Sequence, residues 1–135
     1  MILNKFKKRI PKNKKVNIIN PASKMVKYHF VIGSSKFLLK NEPLEEMLRE
    51  RAQFLQREKK PINFWLVKSP KFLTSNQLSG MKNKLIEAGL SGVELTAIIA
   101  LDQSFITWLK LRLQNVGEGN FITGEDIASP LSSDV

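Results

Sequence analysis

The chain has 135 residues, 42% of them hydrophobic, enough for one packed domain with a tail. It contains no cysteine and a single histidine, His29, which excludes disulfides, thiol nucleophiles and zinc sites of the Cys/His kind. No apolar run reaches the roughly 18 residues of a membrane span and no signal peptide is visible, so a soluble protein of a reducing compartment is expected.

The net charge of +10 is unevenly placed. Residues 1–27 carry nine Lys or Arg and no acid, which leaves thirteen bases against twelve acids over residues 28–135. Residues 28–135 are therefore nearly neutral; residues 1–25 read as a basic, disordered extension and residues 26–123 as the domain. A lysine-rich arm of this kind either solubilises the chain or touches an anionic surface, be it RNA, lipid headgroups or an acidic protein.

Val26 to Ile32 alternates, with Val26, Tyr28, Phe30 and Ile32 on one face, and predicts a strand ending at Gly33-Ser-Ser35. His29 on that strand has no evident partner and reads as a solvated residue. Gly33-Ser-Ser-Lys36 lacks the second glycine and the Gly-Lys-Ser/Thr ending of a phosphate loop. Asn41-Glu-Pro43 has the cap candidate, acid and proline of a helix start. Leu44, Met47, Leu48, Ala52 and Leu55 form the buried stripe of that helix, and Pro61 closes it.

Ile62 to Val67 predicts a short central strand, with Phe64 facing as Ile62 and Leu66 do and Trp65 facing as Asn63 and Val67 do. A helix is predicted from about Ser75 to Ala88, with Leu78, Met81, Leu85 and Ile86 as its apolar positions and Gly89 as its stop. Leu95 to Leu101 is the clearest strand. Asp102 or Ser104 then caps a helix over Phe105–Val116 that Gly117 and Gly119 end, and Asn120 to Thr123 adds an edge strand. Residues 124–135 are polar and read as a loose tail. Strand, helix, strand, helix, strand, helix suits either an antiparallel α+β sandwich or a small parallel α/β unit.

The helix over residues 105–116 carries the most informative side chain. With successive residues about 100° apart, Phe105, Ile106, Leu109, Leu113 and Val116 share an arc with Trp108 at its edge. Arg112 falls inside that arc. A guanidinium there either lies over Trp108, four residues back, with its head in water, or serves as a docking arginine.

Catalytic machinery is not apparent. Most of the acids lie on the helix that begins at Leu44 or in the tail, Glu45, Glu46 and Glu50 lack the Glu-x-x-His spacing of di-iron helices, and Ser34 and Ser35 have no histidine at a recognisable spacing. A binding module with no cofactor and no metal is expected. Its candidate surface is where Trp65, Trp108 and Arg112 could meet, because aromatics and arginine dominate interface hot spots.

Three blocks carry a resemblance: Tyr28-His-Phe-Val-Ile-Gly-Ser-Ser-Lys-Phe-Leu39 running into Glu42-Pro-Leu-Glu-Glu-Met-Leu-Arg-Glu-Arg51, then Ile62-Asn-Phe-Trp-Leu-Val67, then Phe105-Ile-Thr-Trp-Leu-Lys-Leu-Arg-Leu113. Over residues 26–123 the chain resembles the conserved chloroplast-reading-frame family of cyanobacteria and plastids, whose plant member is called Low Chlorophyll Accumulation A. The resemblance implies an α+β domain, an antiparallel sheet flanked by helices. It also implies a non-catalytic accessory factor of the aerobic magnesium-protoporphyrin IX monomethyl ester oxidative cyclase, which forms divinyl protochlorophyllide. The implied partner is the di-iron catalytic subunit, with other chlorophyll-biosynthesis enzymes as further candidates. The implied location is the plastid stroma or cyanobacterial cytoplasm, at the periphery of thylakoid or envelope membranes. A tetrapyrrole is compatible with the aromatics but has no pocket in the sequence, and no specific nucleic acid is expected.

In that family the second block reads Ile-Asp-Phe-Trp, and its Asp-Phe pair and the arginine of the third block are tied to function. They fall here on Asn63, Phe64 and Arg112, and the resemblance makes Phe64 and Arg112 a surface patch for the cyclase subunit. Asn63 departs from the pattern by removing a charge while keeping the shape and one acceptor. The alternative is a small RNA- or ribosome-associated protein that binds through its lysine-rich arm.

Overall fold

The computed structural model describes residues 25–41, 44–113, 115–124, 127 and 129–133. The basic extension read from the sequence lies outside them, apart from Met25. Seven regular elements follow in order: β1 (Lys27–Ser34), α1 (Leu44–Arg57), β2 (Phe64–Lys68), α2 (Ser79–Glu87), β3 (Leu95–Ala100), α3 (Gln103–Arg112) and β4 (Gly117–Ile122). The four strands form one sheet in the order β2-β3-β1-β4, and every pairing is antiparallel. The architecture is α+β, which settles the alternative left open by element order.

Both faces of the sheet are covered, which is why β2 and β3 read as unbroken apolar runs. On one face Val31, Phe64, Leu66, Ile98 and Ala100 pack against Leu44, Leu48 and Leu55 of α1 and Phe105, Ile106 and Leu109 of α3. On the other, Phe30, Ile32, Trp65, Val67 and Ile99 pack against Phe72, Leu78 and Leu85. Thr96, fully buried in β3, is satisfied by the Ser35 hydroxyl at 2.6 Å.

The structure departs from the sequence reading at several points. Phe37–Asn41 winds into a π-helical turn, and 3-10 turns at Lys71–Thr74 and Asn76–Leu78 precede α2. Ser75 caps the second of these turns, accepting from the Gln77 amide, so α2 itself begins only at Ser79. Ile86, expected on its buried side, is 56% exposed. α3 ends at Arg112, not Val116: Leu113 is extended, and it and Val116 turn back into the cluster beneath the helix. The Lys110 ammonium donates to the Val116 carbonyl at 2.9 Å and holds that return.

Gly117 and Gly119 do not stop a helix; they belong to β4, where the strand crosses the Phe30 ring. Nor is the segment after Gly124 loose throughout. Ile127 and Leu131 are buried in the second cluster, Pro70 and Ser133 form an antiparallel bridge, and the Ser133 hydroxyl donates to the Lys68 carbonyl. At the other edge of the sheet, the Gln77 side chain donates to the Ile122 carbonyl at 2.8 Å and accepts from its amide at 2.9 Å.

The glycines give a test with opposite signs. A Cβ at Gly119 would lie 2.7 Å from Phe30 Cζ, so Gly119→Ala is expected to destabilise by about 1–3 kcal/mol. Gly80, in α2, has nothing within 4 Å, and Gly80→Ala should stabilise by up to about 1 kcal/mol through helix propensity. Urea unfolding of the two variants checks both.

Candidate functional site

The start of α3 is fixed by one carboxylate. Asp102 Oδ1 accepts from the Ser104 amide at 3.0 Å and from its hydroxyl at 2.7 Å, while Oδ2 accepts from Arg51 Nη2 at 2.8 Å. Asp102, one of the two cap candidates, thereby also ties α1 to α3. The Arg51 side chain is 16% exposed, and its guanidinium lies 4.8 Å from the Phe105 ring centroid and 5.1 Å from that of Phe54.

From Phe105 a column of rings leads outward. Phe64, fully buried, meets Phe105 at 5.4 Å between centroids. Phe105 stacks on Trp108 at 6.2 Å and 18°, and the Arg112 guanidinium stands 5.0 Å over the Trp108 ring. Trp108 is 37% exposed and Arg112 is exposed, as is Leu111. Because α3 ends at Arg112, this arginine stays at the rim and does not enter the core. Contacts of this kind contribute about 0.5–1 kcal/mol at exposed sites and about 2 when desolvated.

Three expected site residues lie elsewhere. Phe64 is not on the surface: it forms the buried foot of the column and reaches Arg112 only through Phe105 and Trp108. Trp65 faces the opposite side of the sheet, 2% exposed, with its ring 6.4 Å from that of Tyr28. The alternation of facing along β2 makes a meeting of Trp65 with Trp108 and Arg112 impossible. Asn63 stands at the start of β2, where its carbonyl accepts from the Leu101 amide at 3.1 Å, next to Asp102. Its Oδ1 is buried with no hydrogen-bond partner among the described residues. The sequence marks Asp102 only as a cap and does not single out Arg51 or Phe54, although Arg51 closes the first resembling block; an arginine on an amphipathic helix carries no signal of a partner 51 residues away.

Among the described residues no group of three His, Asp or Glu is placed to hold a metal ion, and no helix is long and apolar enough to cross a membrane. The arrangement offers stacking area, guanidinium donors and one structural carboxylate, which suits recognition.

The family model for the Ycf54 protein matches residues 26–123. The chain belongs to the Ycf54 family. It is 43% identical over 97 residues to the ycf54 protein of Porphyra purpurea, covering 72% of this chain and 84% of that protein. It is 40% identical over 110 residues to a Ycf54-like protein of Synechocystis sp. (81% of this chain, 78% of that one). A chloroplastic YCF54 protein of Arabidopsis thaliana is 32% identical over 91 residues, 67% of this chain and 39% of that protein. The solved Ycf54 structure from Synechocystis sp. PCC6803 superposes with a TM-score of 0.73 at 37% identity, over 82% of this chain and 99% of that one. A structure from Nostoc sp. PCC 7120 gives 0.71 at 41% identity, over 83% and 99%. The family thus has cyanobacterial and chloroplastic members, and the matches indicate no enzymatic family.

Acid is expected to loosen this Ycf54 protein in two stages. Burial, with Lys27 adding to it, lowers the pKa of His29 below its ordinary 6.5, against opposing effects of Asp102 and Glu118. The unfolded chain then takes the proton first, so this contribution is full above 6.5 and lost as pH falls from there through the lowered value. The Ser104 hydroxyl, the Ser104 amide and Arg51 hold the Asp102 carboxyl below its ordinary 3.8, with burial opposing them. That contribution is present above 3.8 and lost as pH falls through the lowered folded value. Melting curves from pH 8 to pH 2.5 should show His29→Gln flattening the upper stage and Asp102→Asn the lower one. Unchanged profiles in both variants would contradict the assignment.

Proposed function

We propose that this Ycf54 protein is a non-catalytic accessory factor of the aerobic magnesium-protoporphyrin IX monomethyl ester oxidative cyclase of chlorophyll biosynthesis. It binds and stabilises the separate di-iron catalytic subunit, in the plastid stroma or cyanobacterial cytoplasm, against the surface of thylakoid or envelope membranes. Family membership supports the reading, and one observation carries it: Arg112 and Trp108 stand exposed at the end of a ring column rooted in the core at Phe64. Such a column presents a rigid aromatic-arginine anchor at little cost in side-chain ordering, which is what an interface hot spot requires. It also explains why a buried phenylalanine and an exposed arginine can affect the same surface. Loss of Phe64 would tilt Phe105 and Trp108, whereas loss of Arg112 removes the tip.

Tagged full-length protein, a copy lacking residues 1–25 and Arg112→Ala are to be compared as baits in a photosynthetic cell extract. The first two should recover the di-iron cyclase subunit. Arg112→Ala should recover about tenfold less, corresponding to about 1.4 kcal/mol, while its melting temperature falls by only a few degrees through loss of the exposed Trp108 contact. Undiminished capture together with normal pigment synthesis in Arg112→Ala would sink the proposal. Recovery of RNA or ribosomal proteins by the full-length form alone, with cyclase from neither, would favour the lysine-rich arm of residues 1–25 as the working part.

A further inference from the structure

Beside the Arg112 column, α1 and α3 enclose a cleft of about 640 Å3 lined by Arg51, Phe54, Arg57, Phe105 and Trp108, with Glu50 as its one acidic lining residue. Asp102 neutralises Arg51 and Glu50 offsets Arg57, so the positive excess is supplied by Arg112 from across the Trp108 ring. Arg51 is only partly used by the fold. Asp102 takes Nη2 and two rings cover the guanidinium, yet Nε is buried with no acceptor among the described residues. A latch between α1 and α3 accounts for Nη2 and leaves Nε unexplained.

Nε itself is closed to a ligand, but the exposed Arg57 guanidinium in the same cleft has no acceptor among the described residues and selects a negatively charged oxygen, because charge-assisted hydrogen bonds are the strong ones. The rings beside it select an apolar group next to that oxygen, and Phe54 and Trp108, each 37% exposed, are open to one. We propose that this cleft is the docking site for a segment of a partner protein in which an Asp or Glu side chain stands beside an apolar one. The carboxylate meets Arg57, and the apolar side chain lies against Phe54 and Trp108. The partner's identity rests on the accessory-factor reading; the chemistry of the segment rests on the cleft alone.

The probe is the capped peptide acetyl-Leu-Phe-Glu-Asp-Leu-amide, titrated into full-length 15N-labelled protein beside a copy of the peptide with Gln and Asn at the two acids. Saturable shifts are expected at Phe54, Ser104 and the Trp108 indole, at least tenfold weaker in affinity for the uncharged peptide. Arg57→Glu and Phe54→Ala, both at exposed positions that leave the Asp102 latch in place, should each weaken binding by a similar factor; Arg57→Glu should leave the melting temperature unchanged, whereas Phe54→Ala also loses its contact with Arg51 and lowers it by a few degrees. No saturable shift in the cleft, an equal response to the uncharged peptide, or cleft shifts with phosphatidylglycerol vesicles in place of the peptide would overturn the proposal. In the pull-down, cyclase capture undiminished by Arg57→Glu and Phe54→Ala overturns the cleft and leaves the accessory reading standing. Peptide binding in the cleft without cyclase capture does the reverse.

Discussion

The carboxylate of Asp102 has three donors and two duties. By accepting from the Ser104 amide it sets the first turn of α3, and by accepting from Arg51 it sets how α1 lies against that turn. The register of α3 then decides which of its side chains face the sheet. Phe105, Ile106 and Leu109 go down onto Phe64 and Ile98, and Trp108, Leu111 and Arg112 are left at or near the surface. Without the link, two helices that share a core would be free to slide, because apolar packing is non-directional. A charged, hydrogen-bonded contact between elements has direction, and this one sits at the rim of the cleft.

The column Phe64, Phe105, Trp108, Arg112 runs from the centre of the sheet to the rim of α3. Rings are stiff, with two side-chain torsions each, so a small displacement at the foot reaches the tip without being absorbed on the way. Foot and tip are thus mechanically linked without sharing a surface. The same geometry assigns Asn63 a place at the strand end beside Leu101 and Asp102, close to the foot of the column, where an aspartate would bring a charge.

Much of the fold was legible because its signals are local. The alternation in Tyr28–Ile32, the apolar runs of β2 and β3, the stripe of α1 and the cap at Asp102 all follow from pattern and composition. Opposite facing of Phe64 and Trp65 was legible too, but its consequence was not. Which face α3 would cover is a tertiary fact, so Trp65 looked available for the Arg112 surface when the sheet separates them. Gly117 and Gly119 misled because glycine after a helix usually means a stop, whereas here the small side is needed where β4 passes over Phe30. Leu113 and Val116 kept the apolar arc going past the true helix end, since burial in the same cluster does not require helical backbone. Arg51 could not be found by any local rule: its partners Asp102 and Phe105 are distant in sequence.

The two outer strands of the sheet are treated alike. The last described residues bridge to Pro70 beside the end of β2, and the amide of Gln77 occupies both main-chain groups of Ile122 on β4. A single side chain there imitates one residue of a fifth strand and fills the place where another chain would begin to pair. An open edge is an unselective invitation, because main-chain groups are the same in every protein. Closing it at these points shifts recognition onto the helical side, where ring geometry and charge can distinguish one visitor from another. Selectivity in a small protein then begins with the surfaces it withholds.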